Sequence, residues 1–229
     1  MELQEASVCS TNPPEPADPP GAGLGGRGLA FRFLVAVDAQ GFSQCCAAEQ
    51  ARIQDDLDWA LARAARAVGI DRAQWDSQPR GDGELAELPP DTDILSLVGD
   101  FPRHLARIIS EINAARVAGP RLRARMAIHH GAISPGRFGL VGPAAVLVTR
   151  LVDADELRQQ LRDQPGRDLA LIVSAMVYEE VIRTRFHDLC PEEFVRVAVH
   201  TKSIAYPGYL YHGDFTVAAG QIPAVAAGI

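Results

Sequence analysis

Lysine is almost missing from this chain: of the 22 cationic side chains 21 are Arg, and only Lys202 is Lys. Positive charge is also outnumbered, because 29 Asp and Glu residues bring the net charge to −7. Both facts argue against a general nucleic-acid coat or a polybasic membrane binder, each of which needs a cationic face. No apolar run approaches the roughly 18 residues of a membrane span, and the N-terminus lacks the basic-then-apolar order of a signal peptide. Cysteine is scarce and badly spaced for a bridge or a zinc site. Cys9 lies in a Pro-rich stretch, Cys45 and Cys46 are adjacent, and Cys190 is remote, so all four read as reduced thiols. These absences together predict a soluble cytoplasmic protein that does without structural disulfides or zinc.

What is present is an ordinary globular composition, 47% hydrophobic over 229 residues, enough for one sizeable core. Residues 1–28 are rich in Pro and Gly and lack apolar periodicity, which predicts a disordered leader. Residues 216–229 are small and weakly patterned and read as a flexible tail, leaving one domain over 29–215. Within it, Phe31 to Val37 is an apolar run rich in strand formers. Ile53, Leu57, Leu61, Ala64 and Val68 then recur at helical spacing across 44–68, and Gly69 ends the pattern. Two short strands, 73–78 and 84–88, flank Arg80-Gly81-Asp82-Gly83, which reads as a hairpin turn. An apolar stripe from Ile94 to Ile112 marks a second helix. Leu122, Ala124, Met126 and Ile128 then alternate with Arg123 and Arg125 in a strand that runs to His130. This order predicts an α+β, ferredoxin-like βαββαβ core with two helices on one face of the sheet. Additions follow: a helix near 144–162, a strand at 169–173, a helix at 174–184 and a closing hairpin over 194–211.

Two acids stand out by position. Asp38 follows directly on the first strand, and Asp82 lies in the hairpin turn. The first strand and the hairpin are neighbours in a βαββαβ sheet, so both carboxylates can meet at one edge. Two carboxylates with no cationic partner evident in the sequence suit a pair of Mg²⁺ or Mn²⁺ ions, which take oxygen ligands and leave room for substrate phosphates. The bland alternative for each is a turn-forming Asp beside Gly. Ala39-Gln40-Gly41-Phe42-Ser43 leads from the strand into a helix, where backbone N–H groups and a helix N-terminus would face an anion. His129 and His130 point to opposite sides of their strand and read as structural, and Glu84 and Glu87 read as solvent-facing.

These stretches resemble motifs of the class III nucleotidyl cyclases. Asp38 to Ser43 resembles their Asp-x-x-Gly-Phe-Ser/Thr opening, and Gln78 to Ala86 their Gly-Asp hairpin. Arg125 to Gly131 is similar to Arg-x-Gly-Ile-His-x-Gly, and Gly142 to Arg150 has the spacing of Gly-x-x-x-Asn-x-x-x-Arg. The resemblance runs from about 31 to 212. It implies attack of a ribose 3′-hydroxyl on the α-phosphorus of a nucleoside triphosphate, with Asp38 and Asp82 holding two metal ions. It further implies that residues 39–43 cradle the triphosphate, that Arg150 supports the pentavalent phosphorus and that Lys202 binds the terminal phosphates. Because the family's sites form between subunits, it also implies a homodimer.

The sequence departs from the family at three points. The ribose-orienting asparagine position is Val146, which can neither donate nor accept a hydrogen bond. Thr149 is the nearest polar substitute. The base-reading positions fall on Gln78 and near Gly139, which argues against ordinary adenylyl or guanylyl specificity. In size and in lacking purine readers the chain is similar to the stand-alone pyrimidine cyclases of the Pycsar anti-phage system, which implies UTP or CTP as substrate. Arg80 is a further candidate for base or phosphate contact. A catalytically silent, nucleotide-binding regulatory module is the competing reading. An unrelated βαββαβ protein is a third. Diguanylate cyclases share the core, but Arg80-Gly81-Asp82-Gly83-Glu84-Leu85 is not their hairpin.

Overall fold

A computed structural model describes residues 28–200 and 204–215. The expected leader (all but Gly28), the tail and Lys202 lie outside the described residues. The first strand, β1, spans Ala30–Ala39, and a 3-10 turn at Phe42–Gln44 leads to α1, Ala47–Ala67. The hairpin is β2, Asp76–Pro79, and β3, Gly83–Glu87, and the second helix α2 covers Phe101–Ala115. Next come β4, Ala124–Gly136, the short β5, Gly139–Val141, then α3, Pro143–Val152, and α4, Asp155–Asp163. The chain closes with β6, Leu169–Ser174, α5, Ala175–Glu180, and the hairpin β7, Phe194–His200, with β8, Ala205–Tyr211.

One sheet runs in the order β2-β3-β1-β4-β6-β8-β7, with β5 paired to β4. Its first four strands have the order and alternation of the expected ferredoxin-like core. Among the described residues only β4 and β6 pair in parallel. The period-2 side-chain alternation of β1 divides the core in two. Val35, Val37 and Ala39 pack with α1 and α2, through Ile53, Leu57, Leu61, Phe101, Leu105 and Ile109. Leu34 and Ala36 face the opposite way, onto Ala144, Val148 and Leu151 of α3 and Leu157 and Leu161 of α4. The central strands are therefore buried on both faces.

The structure corrects several local expectations. The helix expected near 144–162 is broken at Asp153 and Ala154. Ala154 is itself buried, so the apolar pattern continues across the break and hides it. The second helix begins with a π-helical turn at Ser96–Asp100, and Ile94 is 41% exposed rather than part of the buried stripe. Helix 174–184 is α5 followed by a 3-10 turn at Ile182–Thr184. The strand expected from 73 is a 3-10 turn at Arg72–Gln74 before β2. Strand β4 continues six residues past His130, to Gly136, and its polar-looking face is buried too, because Arg125 and His129 lie under α3. Glu84 is no solvent-facing residue: its carboxylate takes the Arg72 guanidinium at 2.6 Å.

The register of β1 sets up the site. Asp38 lies opposite Gly83 on β3 and opposite Arg125 on β4. A Cβ on Gly83 would stand 1.9 Å from the Val37 carbonyl oxygen and 2.6 Å from the Asp38 Cα, so only glycine permits this approach of the two strands. Asn113 of α2 braces the entry to β4 through two bonds to the Leu122 backbone, each 2.8 Å.

Candidate active site

Asp38 and Asp82 come close where β1 ends beside the β2–β3 turn. The Ala39 N–H donates to the Asp82 carbonyl at 2.8 Å, and the Asp82 charge acts on the Asp38 carboxyl. The expectation that both acids lack a cationic partner is wrong for Asp38. The Arg125 Nη2 donates to its Oδ2 at 2.8 Å, and the two side chains are only 7% and 11% exposed. Burial nevertheless dominates: it raises the Asp38 pKa from 3.8 to about 7 against the pull of Arg125, with Asp82 and Asp153 adding to the rise.

Two acceptors in this segment are buried without a hydrogen-bond partner, Asp38 Oδ1 and Gln40 Oε1. A buried polar atom with no partner costs free energy and marks the place of an absent water or ion. Two orphaned oxygens within three residues, beside a second carboxylate, form an oxygen donor set of the kind Mg²⁺ and Mn²⁺ take. The residues therefore fit a divalent cation. No group of three or more His, Cys, Asp or Glu able to hold a metal occurs among the described residues, so carboxylates alone would not enclose one.

Of the five residues expected to cradle a triphosphate, two have their backbone donors already engaged. Ala39 and Gln40 spend their N–H groups on the Asp82 and Arg123 carbonyls, at 2.8 and 2.7 Å. That leaves the turn Gly41-Phe42-Ser43, which opens with Gly41 in the left-handed region at φ 79°. The N-terminus of α1 does not contribute. It starts at Ala47, four residues later, and the Glu49 carboxylate accepts from the Cys46 N–H at 2.9 Å. Arg80 is exposed in the hairpin turn, whose backbone closes through Arg80 N–H to the Gly83 carbonyl at 2.8 Å.

Gln78 and Gly139, the two positions expected to face a base, come together. A Cβ on Gly139 would lie 2.3 Å from Gln78 Oε1, so the Gln78 amide fills the space that a side chain at 139 would take. Arg150 and Val146 lie one turn apart on the exposed side of α3, Val146 being 50% exposed. The hydroxyl of Thr149, the nearest polar substitute at the expected asparagine position, donates to the Ala145 carbonyl at 2.8 Å. The expectation for Lys202 falls outside the described residues.

His129 and His130 face opposite ways, as expected. The His129 Nδ1 lies 2.8 Å from the Ser174 hydroxyl, and burial lowers its pKa to about 4. His130 packs against Phe33 at a tilt of 45°, with ring centroids 4.6 Å apart. Sequence reasoning missed Arg125 as a member of the site. The signal in the sequence is a charged residue in the middle of an apolar strand, which is costly to bury unless it is paired.

The fold is that of the class III adenylyl and guanylyl cyclase domains. Among solved structures the chain is similar to the guanylyl cyclase Cya2, at TM-score 0.56 and 14% identity, covering 81% of this chain and 92% of that one. It is also similar to an adenylate/guanylate cyclase/hydrolase from Silicibacter pomeroyi, at TM-score 0.56 and 17% identity over 82% and 99% of the two chains. A third is the adenylyl cyclase CyaB from P. aeruginosa, at 0.51 and 16% over 82% and 97%. At such identities the likeness speaks for the fold. No protein-family profile matches the sequence, and no curated protein does. Among the described residues no helix is long and apolar enough to cross a membrane.

Proposed function

We propose that the protein is a nucleotidyl cyclase that converts a nucleoside triphosphate to a 3′,5′-cyclic nucleotide and pyrophosphate. In this reaction the ribose 3′-oxygen bonds to the α-phosphorus, the bond to the pyrophosphate breaks, and the hydroxyl proton is lost. One observation carries the reading: Asp38 and Asp82 come close where β1 ends at the hairpin turn, and Asp38 Oδ1 and Gln40 Oε1 are buried and unpartnered in that segment. Asp38 and Asp82 would hold two Mg²⁺ or Mn²⁺ ions, which when bound lower the pKa of the attacking hydroxyl and neutralise developing phosphate charge. Gly41, Phe42 and Ser43 bind the triphosphate through backbone donors. Arg150 and Lys202 supply positive charge to the phosphates from a second copy of the chain, in a two-fold homodimer. The exposure of Arg150 on α3 supports that arrangement.

A pyrimidine triphosphate, UTP or CTP, fits the base-reading positions best. The Gln78 amide carries one donor side and one acceptor, and Gly139 adds no side chain to test a purine edge. A rotating amide pairs with a donor–acceptor edge of either order, which purines present as well as pyrimidines, so the preference rests on the absence of purine-reading side chains at 78 and 139. A cyclic pyrimidine nucleotide would act as a signal in cytoplasmic anti-phage defence. One observation favours a silent nucleotide-binding module instead. Val146 is exposed where the ribose-orienting donor is needed, and the Thr149 hydroxyl is occupied. A lost oriented donor costs about 3 kcal/mol of transition-state stabilisation.

The test is product analysis by mass spectrometry after incubation with ATP, GTP, CTP and UTP separately, in Mg²⁺ and in Mn²⁺. A cyclic nucleotide made by the wild type and not by Asp82→Ala is expected, from UTP or CTP. Nucleotide binding without product from any of the four establishes the silent module.

A further inference from the structure

We infer that Arg125 is a positioning residue of the cation site: it fixes the Asp38 carboxylate through Oδ2 and reserves Oδ1 for a divalent ion. The inference rests on the metal role proposed for Asp38. Arg125 stands opposite Asp38 in the β1–β4 register and donates to it with one nitrogen, Nη2, at 2.8 Å. A guanidinium beside a free carboxylate commonly takes both oxygens in a fork. Here it takes one, and the other is buried and left without a partner.

Arg125 is itself held in place. Its Nη1 donates to the Val152 carbonyl at 3.3 Å, at the C-terminal end of α3, and the side chain is 7% exposed. A guanidinium so enclosed has no route into solvent when an ion arrives. The second orphaned acceptor, Gln40 Oε1, lies two residues further along the same segment. Two acceptors cannot satisfy each other, and Arg125 Nε, a buried donor that is also unpartnered, bonds neither of them although its guanidinium already holds Oδ2, so Oδ1 is left open to a cation. A cation there engages Asp38 Oδ1 while Arg125 retains Oδ2. In this chain Arg125 thus does for a carboxylate ligand what an outer hydrogen-bonding partner does for a metal-bound histidine: it sets orientation.

The alternative is a competitor, a guanidinium that occupies the cation's place and must be expelled. The two give opposite signs. Mn²⁺ binding is measured by electron paramagnetic resonance on the full-length protein, without nucleotide and with a non-hydrolysable triphosphate, for wild type, Arg125→Met and Arg125→Lys. Arg125→Met is expected to bind Mn²⁺ about 10–100-fold more weakly. Arg125→Lys, which keeps a charge and a donor, recovers part of that loss.

Loss of a buried ion pair also destabilises the fold, so a stability-matched control is needed. Gln160→Ala breaks the buried bond to the Tyr211 carbonyl at 2.6 Å, between α4 and β8, neither of which carries Asp38, Asp82, Gln40 or Arg125, and is expected to lower the melting temperature with Mn²⁺ affinity unchanged. If Arg125→Met does not fold, Arg125→Lys in the same titration decides. Unchanged or tighter Mn²⁺ binding in either Arg125 variant overturns the inference. A wild type that binds no Mn²⁺ overturns it together with the metal role of Asp38. Failure of the cyclase reading alone appears as normal Mn²⁺ binding without cyclic product.

Discussion

Replacing Gly83 by alanine places one methyl group where the structure has no room for it. The new Cβ would lie 1.9 Å from the Val37 carbonyl oxygen, whereas carbon and oxygen in contact stand roughly 3.3–3.6 Å apart. Both partners are backbone, so no side chain can swing aside. Strand β3 must instead move off β1 by more than an ångström at the position of Asp38. Overpacking of this kind costs about 1–3 kcal/mol. The Ala39 to Asp82 bond at 2.8 Å is stretched as well, adding about 1 kcal/mol. Stiffening of the unfolded chain by alanine returns about 0.4–1 kcal/mol. The net loss is about 2 kcal/mol, which lowers the melting temperature of a domain this size by roughly 4–8 °C. Gly166→Ala is the matched control, since nothing lies within 4 Å of its added Cβ. It is expected to stay within about 0.5 kcal/mol of wild type. Differential scanning calorimetry on both variants reads the contrast. A Gly83→Ala protein melting within 2 °C of Gly166→Ala would refute the close approach of β1 and β3.

Two further predictions follow from buried titratable groups. His129 has its pKa lowered from 6.5 to about 4, so the folded state prefers the neutral ring. This contribution is complete above pH 6.5 and is lost as pH falls toward 4, up to about 3 kcal/mol. His129→Gln keeps a partner for Ser174 without titrating, and its urea midpoint is expected to fall less between pH 7 and 4.5 than that of wild type. An equal fall in both would contradict the burial argument. Asp38 behaves in the opposite sense, with its pKa raised by burial from 3.8 to about 7. Its contribution is complete below pH 3.8 and is lost as pH rises through 7. Asp38→Asn is therefore expected to gain stability relative to wild type between pH 5 and pH 8 in metal-free buffer, and no change in that difference would count against it.

Much of the fold was legible because its signals are local. The Phe31–Val37 run and the 53–68 periodicity each describe one element, and they place Asp38 at a strand end next to a hairpin. Strand β5 was not legible, because Gly139-Leu140-Val141 is too short to carry a period and forms only against the far end of β4. The break between α3 and α4 was hidden because Leu151, Ala154, Leu157 and Leu161 keep helical spacing across it. The site divides in the same way. Topology brought Asp82 to Asp38 and alignment brought Gln78 to Gly139, but the Arg125 pair joins residues 87 apart through sheet register. Nor does sequence tell which backbone N–H groups of residues 39–43 are already spent. That depends on the Arg123 and Asp82 carbonyls reaching across from other strands.

The central claim is a cyclase site shared between two copies, with the acids from one and Arg150 from the other. Mixing two inactive variants tests it most directly. Asp82→Ala removes a metal carboxylate and Arg150→Ala removes the phosphate-facing cation. Each homodimer alone should make no cyclic nucleotide from the preferred triphosphate. Random exchange gives half heterodimers, each with one intact site of two, so the mixture should regain about a quarter of wild-type activity. Two inactive variants whose mixture stays inactive, although mass measurement finds the heterodimer, would contradict the shared site.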